Sequence, residues 1–174
     1  LEEVLRARGE APRRLVASVL VSTRSAASRA ELGNRIGVMA VPVDLDGTLA
    51  DRLRRVAATT GALKSRPRPA SALVGPLLRL LAVSGMLARI VDRQRMVTTF
   101  VTNIRGPQRQ VRLAGVPVTR IVPITSLAGN VAVSFAALSY AGRLEVSVVT
   151  DPDVVPEGAD IARALGDVLG ALSR

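Results

Sequence analysis

From residue 97 onward the hydrophobic pattern changes from helical to extended, and this change restricts the possible folds more than any other feature. Two Ala-Gly pairs, Ala114-Gly115 and Ala141-Gly142, interrupt the apolar runs. A glycine-containing pair between two extended runs is typical of a β-hairpin. We predict a strand over 96–103, one hairpin of 110–113 with 116–124, and a second hairpin of 130–140 with 143–151.

The first half of the chain predicts two strands, over 15–22 and 34–44, followed by two helices over 49–64 and 70–94. Thr48 follows an Asp-Gly turn and is placed to cap the first helix. Its inner stripe would consist of Leu49, Leu53, Val56 and Leu63. The second helix is apolar around much of its circumference, and Pro76 and Gly85 are points where it could kink.

A last helix is predicted over 157–173, with an inner face of Ile161, Leu165, Val168, Leu169 and Leu172. The order of elements predicts a single α+β domain over 1–174, in which a mixed β-sheet is layered with helices. Leu1, Val4 and Leu5 have helical spacing, yet no capping residue precedes them. We therefore expect the chain to be cut from a longer protein.

The 174 residues include no histidine and no cysteine. This excludes a serine–histidine–carboxylate triad, a cysteine nucleophile, a thiolate zinc site and the commonest general base near neutral pH. No phosphate-binding glycine loop or acidic metal cluster is visible, so we expect no metal. The residues alone indicate a basic α+β domain of unspecified chemistry.

The formal net charge of +10 suits an anionic membrane, the phosphates of a cofactor or nucleic acid. Scattered arginines and a 2% aromatic content disfavour nucleic acid. On the second helix Arg79, Arg89 and Arg93 fall within about 80° of arc. That stripe suits phosphate or lipid contact, or equally an ordinary outward face. We expect a cytoplasmic protein, with peripheral attachment to the inner membrane or to lipid bodies as an alternative.

Two segments carry candidate site residues at strand ends, where mixed sheets commonly bind ligands. Asn103 and the Gly106-Pro107 pair follow a long apolar strand, and Gly33-Asn34 precedes another. Both segments are also compatible with plain turns.

The segment Ser139-Tyr140-Ala141-Gly142 closes the longest strand, and Asp151 ends the next one. Tyr140 could place its hydroxyl near a ligand, although an amphipathic ring with one wet end is the stronger interpretation. Asp151 precedes a proline and is first of all a turn residue.

Three segments together resemble a known family: LGNRIGVMAVPVDL, TTFVTNIRGPQRQVRLAGVPV and ALSYAGRLEVSVVTDPDVVP. In order and spacing they are similar to the C-terminal region of the wax ester synthase/diacylglycerol acyltransferase family. The resemblance implies one half of a two-domain fold like that of chloramphenicol acetyltransferase and peptide-synthetase condensation domains. In that family an HHxxxDG motif in the N-terminal half supplies the general base.

The resemblance implies that this chain shapes the substrate tunnel of an acyl-CoA-dependent O-acyltransferase and is not catalytic alone. Acyl-CoA would be a substrate of the complete enzyme, with a hydroxyl acceptor, and the partner would be an N-terminal half or a second copy bound through the apolar helix. Cleft-shaping residues would be Asn34, Asn103, Gly106, Pro107, Ser139, Tyr140, Gly142 and Asp151. The alternative is a stand-alone, non-catalytic module with the same fold that binds lipid, acyl groups or a protein.

Overall fold

The computed structural model describes residues 1–22, 36–65 and 83–172. The strands of these ranges are β1 (Arg14–Ser22), β2 (Ile36–Asp44), β3 (Thr99–Arg105), β4 (Arg112–Leu113), β5 (Val116–Pro117), β6 (Val133–Tyr140) and β7 (Arg143–Thr150). The helices are α1 (Glu2–Ala7), α2 (Leu49–Ser65), α3 (Met86–Arg93) and α4 (Gly158–Leu172). These elements confirm the predicted α+β class.

The main sheet is mixed and has the order β2-β1-β3-β6-β7. The three central strands are parallel, whereas β2 and β7 run antiparallel to their neighbours. The tight turn between β6 and β7 has positive φ at both Ala141 (47°) and Gly142 (80°), which matches the strand twist of a two-residue hairpin. Because β1, β3 and β6 are parallel, their carboxyl ends meet at one edge of the sheet.

A helix layer covers one face of the sheet. Side chains alternate along a strand, so Val133 and Phe135 of β6 share that face. Val133 packs with Val4 of α1 and Ile161 of α4, and only 1% of Ile161 is exposed. The predicted inner face of the last helix is confirmed at Ile161, whereas Leu165, Val168 and Leu169 are half-buried and the prediction is wrong for Leu172, which is 50% exposed at the helix end.

The opposite face of β6 and β7 is crossed by the chain that follows the β4–β5 hairpin. There the Arg120 guanidinium pairs with Glu145 at 2.7 Å. The Ser147 hydroxyl also donates a hydrogen bond to the carbonyl of Pro123. This segment is not the strand predicted over 116–124, because only Val116–Pro117 is extended and paired. Proline residues lack the N–H that a ladder needs, so side chains of β7 attach the segment instead.

The predicted cap of α2 is confirmed. The Thr48 hydroxyl accepts a hydrogen bond from the Asp51 amide at 3.2 Å and donates one to the Asp51 carboxylate at 2.6 Å. The predicted inner stripe holds only in part: Val56 and Leu63 are half-buried, whereas Leu49 and Leu53 are 41% and 45% exposed. Among the described elements α2 packs on β2 alone, so it has too little neighbouring surface to cover both leucines.

The cap of α2 should make stability depend on pH. Hydrogen bonds from the Thr48 hydroxyl and amide hold the pKa of Asp51 below its ordinary value. A carboxyl group whose pKa is lower in the folded state stabilises the fold at pH values above its pKa in the unfolded state. This stabilisation is lost below about pH 4, as the pH falls through the pKa of the folded state. We expect Asp51→Ala to destabilise the chain at neutral pH and progressively less in acid.

Urea unfolding of both proteins near neutrality and at about pH 3 measures this difference. Thr48→Ser, which keeps the hydroxyl, is the matched control and should preserve the wild-type pH profile. An Asp51→Ala deficit of equal size at both pH values would contradict the cap.

The second predicted helix is described only in its last part. α3 begins after Gly85. The left-handed conformation of Gly85, with a φ of 69°, breaks the helix at a position where a kink is predicted. The residues from 70 to 82, including Pro76, lie outside the described ranges. No described helix is long and apolar enough to cross a membrane.

Candidate substrate-channel site at one edge of the sheet

The edge where β3 and β6 end brings together most of the residues singled out in the second half of the sequence. Arg105, the last residue of β3, lies opposite Ser139 of β6. Tyr140 ends β6, and the Ala141-Gly142 turn follows directly. We call this region the β3–β6 edge.

Gly106 fixes the backbone at the β3–β6 edge. Its N–H donates to the Ser139 carbonyl at 2.9 Å, and the Ala141 N–H donates to the Pro107 carbonyl at 3.0 Å. A Cβ added at Gly106 would lie 2.5 Å from the Ser139 oxygen, closer than atoms pack. The Gly-Pro pair is thus more than a turn, because it extends the pairing of β3 and β6 beyond the strand.

Tyr140 anchors the β4–β5 hairpin. It is only 3% exposed, so the predicted wet end is wrong. Its hydroxyl accepts a hydrogen bond from the Val111 N–H at 2.9 Å and donates one to the Val118 carbonyl at 2.7 Å. Because two backbone groups use this hydroxyl, Tyr140 positions the hairpin at the edge and leaves no free hydroxyl for a ligand.

Asn103 presents an available amide at the β3–β6 edge. It pairs with Ala137 in the sheet, and its side chain is exposed. Within residues 1–22, 36–65 and 83–172 no hydrogen bond to this amide is seen, so the interpretation that Asn103 only satisfies its own backbone is not supported. Strand alternation places Ser139 and Arg105 on the same sheet face. Arg105 is not among the predicted site residues, although the period of two from Asn103 indicates that the two side chains share a face.

Asp151 lies at the open end of the β6–β7 hairpin, away from the β3–β6 edge, where its N–H donates a hydrogen bond to the Ala132 carbonyl at 2.9 Å. It follows β7 nine positions after Gly142, roughly 30 Å away along the strand, and its cleft-shaping role stays a prediction. Its carboxylate accepts a hydrogen bond from the Asp153 N–H at 3.0 Å, and its carbonyl accepts one from the Val155 N–H at 2.7 Å. It is a turn residue that leads into α4.

Four other predicted residues are not observed at the β3–β6 edge. Asn34 and Arg79 are outside the described ranges. Arg89 and Arg93 are exposed on α3, which makes no packing contact with the described strands of the edge.

A separate apolar cavity of about 250 Å³ lies on the helix side of the sheet. Phe135 and Ile161 line it together with Glu2 and Arg52, whose side chains form an ion pair. Phe135 lies two positions before Ala137, the sheet partner of Asn103, so the cavity is on the same face of the sheet as the Asn103 side chain. Among the described residues no group of three or more acidic, histidine or cysteine side chains could hold a metal ion.

The β3–β6 edge can bind and orient a ligand through an amide, a hydroxyl and a guanidinium. It contains no histidine that could act as a general base, because the whole chain lacks histidine. Its backbone is held rigidly on both sides by the Gly106 and Tyr140 hydrogen bonds. Such an edge can position a reacting group for chemistry that another part of a protein performs.

Comparison with known proteins gives consistent relatives. The family model described as the WS/DGAT C-terminal domain matches residues 32–173. The chain is 33% identical over 180 residues to a Mycobacterium tuberculosis protein named as a diacylglycerol O-acyltransferase, tgs1. That match covers 97% of this chain and 38% of the relative. A Mycobacterium bovis protein with a similar name matches to the same extent.

Solved structures share the fold. The wax ester synthase/diacylglycerol acyltransferase from Marinobacter aquaeolei VT8 superposes with a TM-score of 0.62 at 19% identity, covering 89% of this chain and 36% of that one. The starter condensation domain of rhizomide synthetase gives a TM-score of 0.53 at 18% identity, covering 92% and 36%. The chain thus spans less than two fifths of the curated relatives. It belongs to the WS/DGAT C-terminal domain family.

Proposed function

We propose that this chain is the C-terminal half of an acyl-CoA-dependent O-acyltransferase and forms one wall of the channel in which the acyl group is transferred. The observation that carries the proposal is the exposed amide of Asn103 at the end of a paired strand, which has no hydrogen-bond partner among the described residues. A channel wall needs polar groups held in place before the substrate arrives, because preorganised donors cost no reorganisation during reaction.

In the proposed reaction a hydroxyl oxygen attacks the thioester carbon of acyl-CoA, an ester forms, and the CoA thiol leaves. The Asn103 amide would donate a hydrogen bond to the thioester carbonyl as negative charge develops on its oxygen. The proton of the hydroxyl would go to a base outside this chain, since the chain has no histidine. An N-terminal half is the expected source of that base, and the 38% coverage of relatives supports it.

A chimera tests the proposal. The matching C-terminal part of the Mycobacterium tuberculosis relative would be replaced by this chain, and thiol release from palmitoyl-CoA would be followed with diacylglycerol or hexadecanol as acceptor. We expect turnover by the chimera and none by the isolated chain. Asn103→Ala in the chimera should lower kcat by about 100-fold to 1000-fold, as is usual when one oxyanion donor is removed.

Arg163→Gln, on the exposed side of α4, is the matched control and should retain full turnover. The proposal fails if the isolated chain turns over as fast as the chimera, or if both variants behave alike. Binding of acyl-CoA by the isolated chain without turnover in a folded chimera would favour the non-catalytic module.

A further inference from the structure

One face of α3 combines apolar and cationic side chains. Met86, Arg89, Ile90 and Arg93 have the spacing i, i+3, i+4 and i+7, which places them on one side of a helix. All four are exposed, and Met86 and Ile90 keep 51% and 49% of their surface accessible. We call this set the α3 outer face.

The α3 outer face is held in place from behind. The Asn130 side-chain amide donates to the Gln94 carbonyl at 2.7 Å, and the Gln94 side chain donates to the Asn130 oxygen at 2.8 Å. A Cβ at Gly129 would lie 2.5 Å from the Val91 carbonyl oxygen, so the loop presses against the inner side of α3. No described helix or strand packs on α3. These contacts hold the inner side of α3, and the four side chains of the outer face remain exposed.

The cations of the α3 outer face are not neutralised within the described part of the chain. The ion pairs of the described residues involve arginines of α1, α2, α4, β1 and the segments beside α1, β1 and β6, but neither Arg89 nor Arg93. A merely solvated face would carry polar residues between its charges, whereas here Met86 and Ile90 lie between and beside them. Long arginine side chains can keep their charged ends in a polar environment while the neighbouring apolar side chains are buried in an apolar one.

We propose that the α3 outer face binds an anionic lipid bilayer. Met86 and Ile90 enter the boundary between headgroups and acyl chains, and Arg89 and Arg93 pair with headgroup phosphates. A bilayer offers anionic and apolar groups over one continuous surface and requires no matching shape. A protein partner would need a complementary pocket for each side chain.

The chemistry of the relatives agrees with a bilayer as the occupant. The names of two relatives mention diacylglycerol, and the name of one solved structure mentions wax ester as well. These compounds partition into lipid rather than water. Attachment through α3 would keep the chain beside such compounds. The proposal goes beyond acyl transfer and does not depend on it.

Flotation with vesicles tests the proposal. The folded chain would be mixed with vesicles of phosphatidylcholine alone or with phosphatidylglycerol added, at low and high salt. We expect binding to the anionic vesicles only, weakened by salt as screening grows. Arg89→Gln with Arg93→Gln should lower the partition coefficient roughly 25-fold, since each cation near such a surface contributes about fivefold.

Met86→Ser with Ile90→Ser should lower the partition coefficient at least tenfold, because less apolar surface leaves water. Leu172→Ser with Arg163→Gln on α4 is the matched control, since Leu172 is also 50% exposed, and it should bind as the wild type does. Circular dichroism checks that each variant is folded. Equal binding by outer-face and control variants would overturn the proposal. The proposal would also be overturned if the chain bound no vesicles and the outer-face variants lost self-association. That result would assign the face to contact with a second copy of the chain.

Discussion

Gly106→Ala will lower the free energy of unfolding by about 2 to 3 kcal/mol, the upper part of the range for overpacking a site that cannot relax. The new Cβ would lie 2.5 Å from the Ser139 carbonyl oxygen, which also accepts the Gly106 N–H. A backbone oxygen cannot rotate away as a side chain could. The pairing of β3 with β6 must therefore open at its end.

Gly61→Ala is the control for Gly106→Ala. Gly61 lies inside α2, and a Cβ there meets nothing within 4 Å. Alanine is better than glycine in a helix by up to about 1 kcal/mol, so this variant should be as stable as the wild type or more so. Urea unfolding of the pair measures both changes. Equal losses in the two variants would contradict the close approach at Gly106.

Tyr140→Phe is expected to release the β4–β5 hairpin while the sheet stays folded. The ring remains buried, but the Val111 N–H and the Val118 carbonyl lose their partner. Removing one member of such a network costs about 1 to 3 kcal/mol. The amide of Val111 should then exchange with solvent at least tenfold faster, because its own hydrogen bond is the one removed.

Arg112→Gln is the control for Tyr140→Phe. Arg112 donates to the Gly115 carbonyl within the same hairpin at 2.8 Å, yet it does not attach the hairpin to the sheet. Hydrogen exchange of Val111 should be unchanged in this variant. Unchanged exchange in Tyr140→Phe as well would show that the hydroxyl does not anchor the hairpin. In the acyltransferase chimera, loss of turnover by Tyr140→Phe alone would link hairpin position to the β3–β6 edge.

Local chemistry explains why parts of the fold were predictable from sequence. The Ala-Gly turns need positive φ at two successive residues, and their neighbours are extended runs, so the β6–β7 hairpin follows from adjacent residues. Thr48 and Asp51 likewise define the start of α2 within four positions. The bounds of β1 and α4 agree with prediction to about one residue at each end because their apolar patterns are long.

The failed predictions concern segments whose neighbours in space are distant in sequence. The stretch after Val116 has the composition of a strand, but in the fold it meets Tyr140, Glu145 and Ser147 and is attached by side chains. The apolar positions of α2 predict a buried stripe, yet burial depends on what packs against them. Periodicity indicates which residues could share a face, and only the packing decides whether that face is covered.

The sequence by itself determined the fold class, the hairpin turns, the helix cap and the absence of a histidine base, because each depends on residue type or on near neighbours. Only the tertiary structure showed that Gly106 meets Ser139 and that the Tyr140 hydroxyl is used by the backbone. The physical reason is that both contacts join residues that are distant in sequence. The parallel pairing of β3 with β6 brings Gly106 to Ser139, and the chain around the β4–β5 hairpin reaches Tyr140 across the sheet.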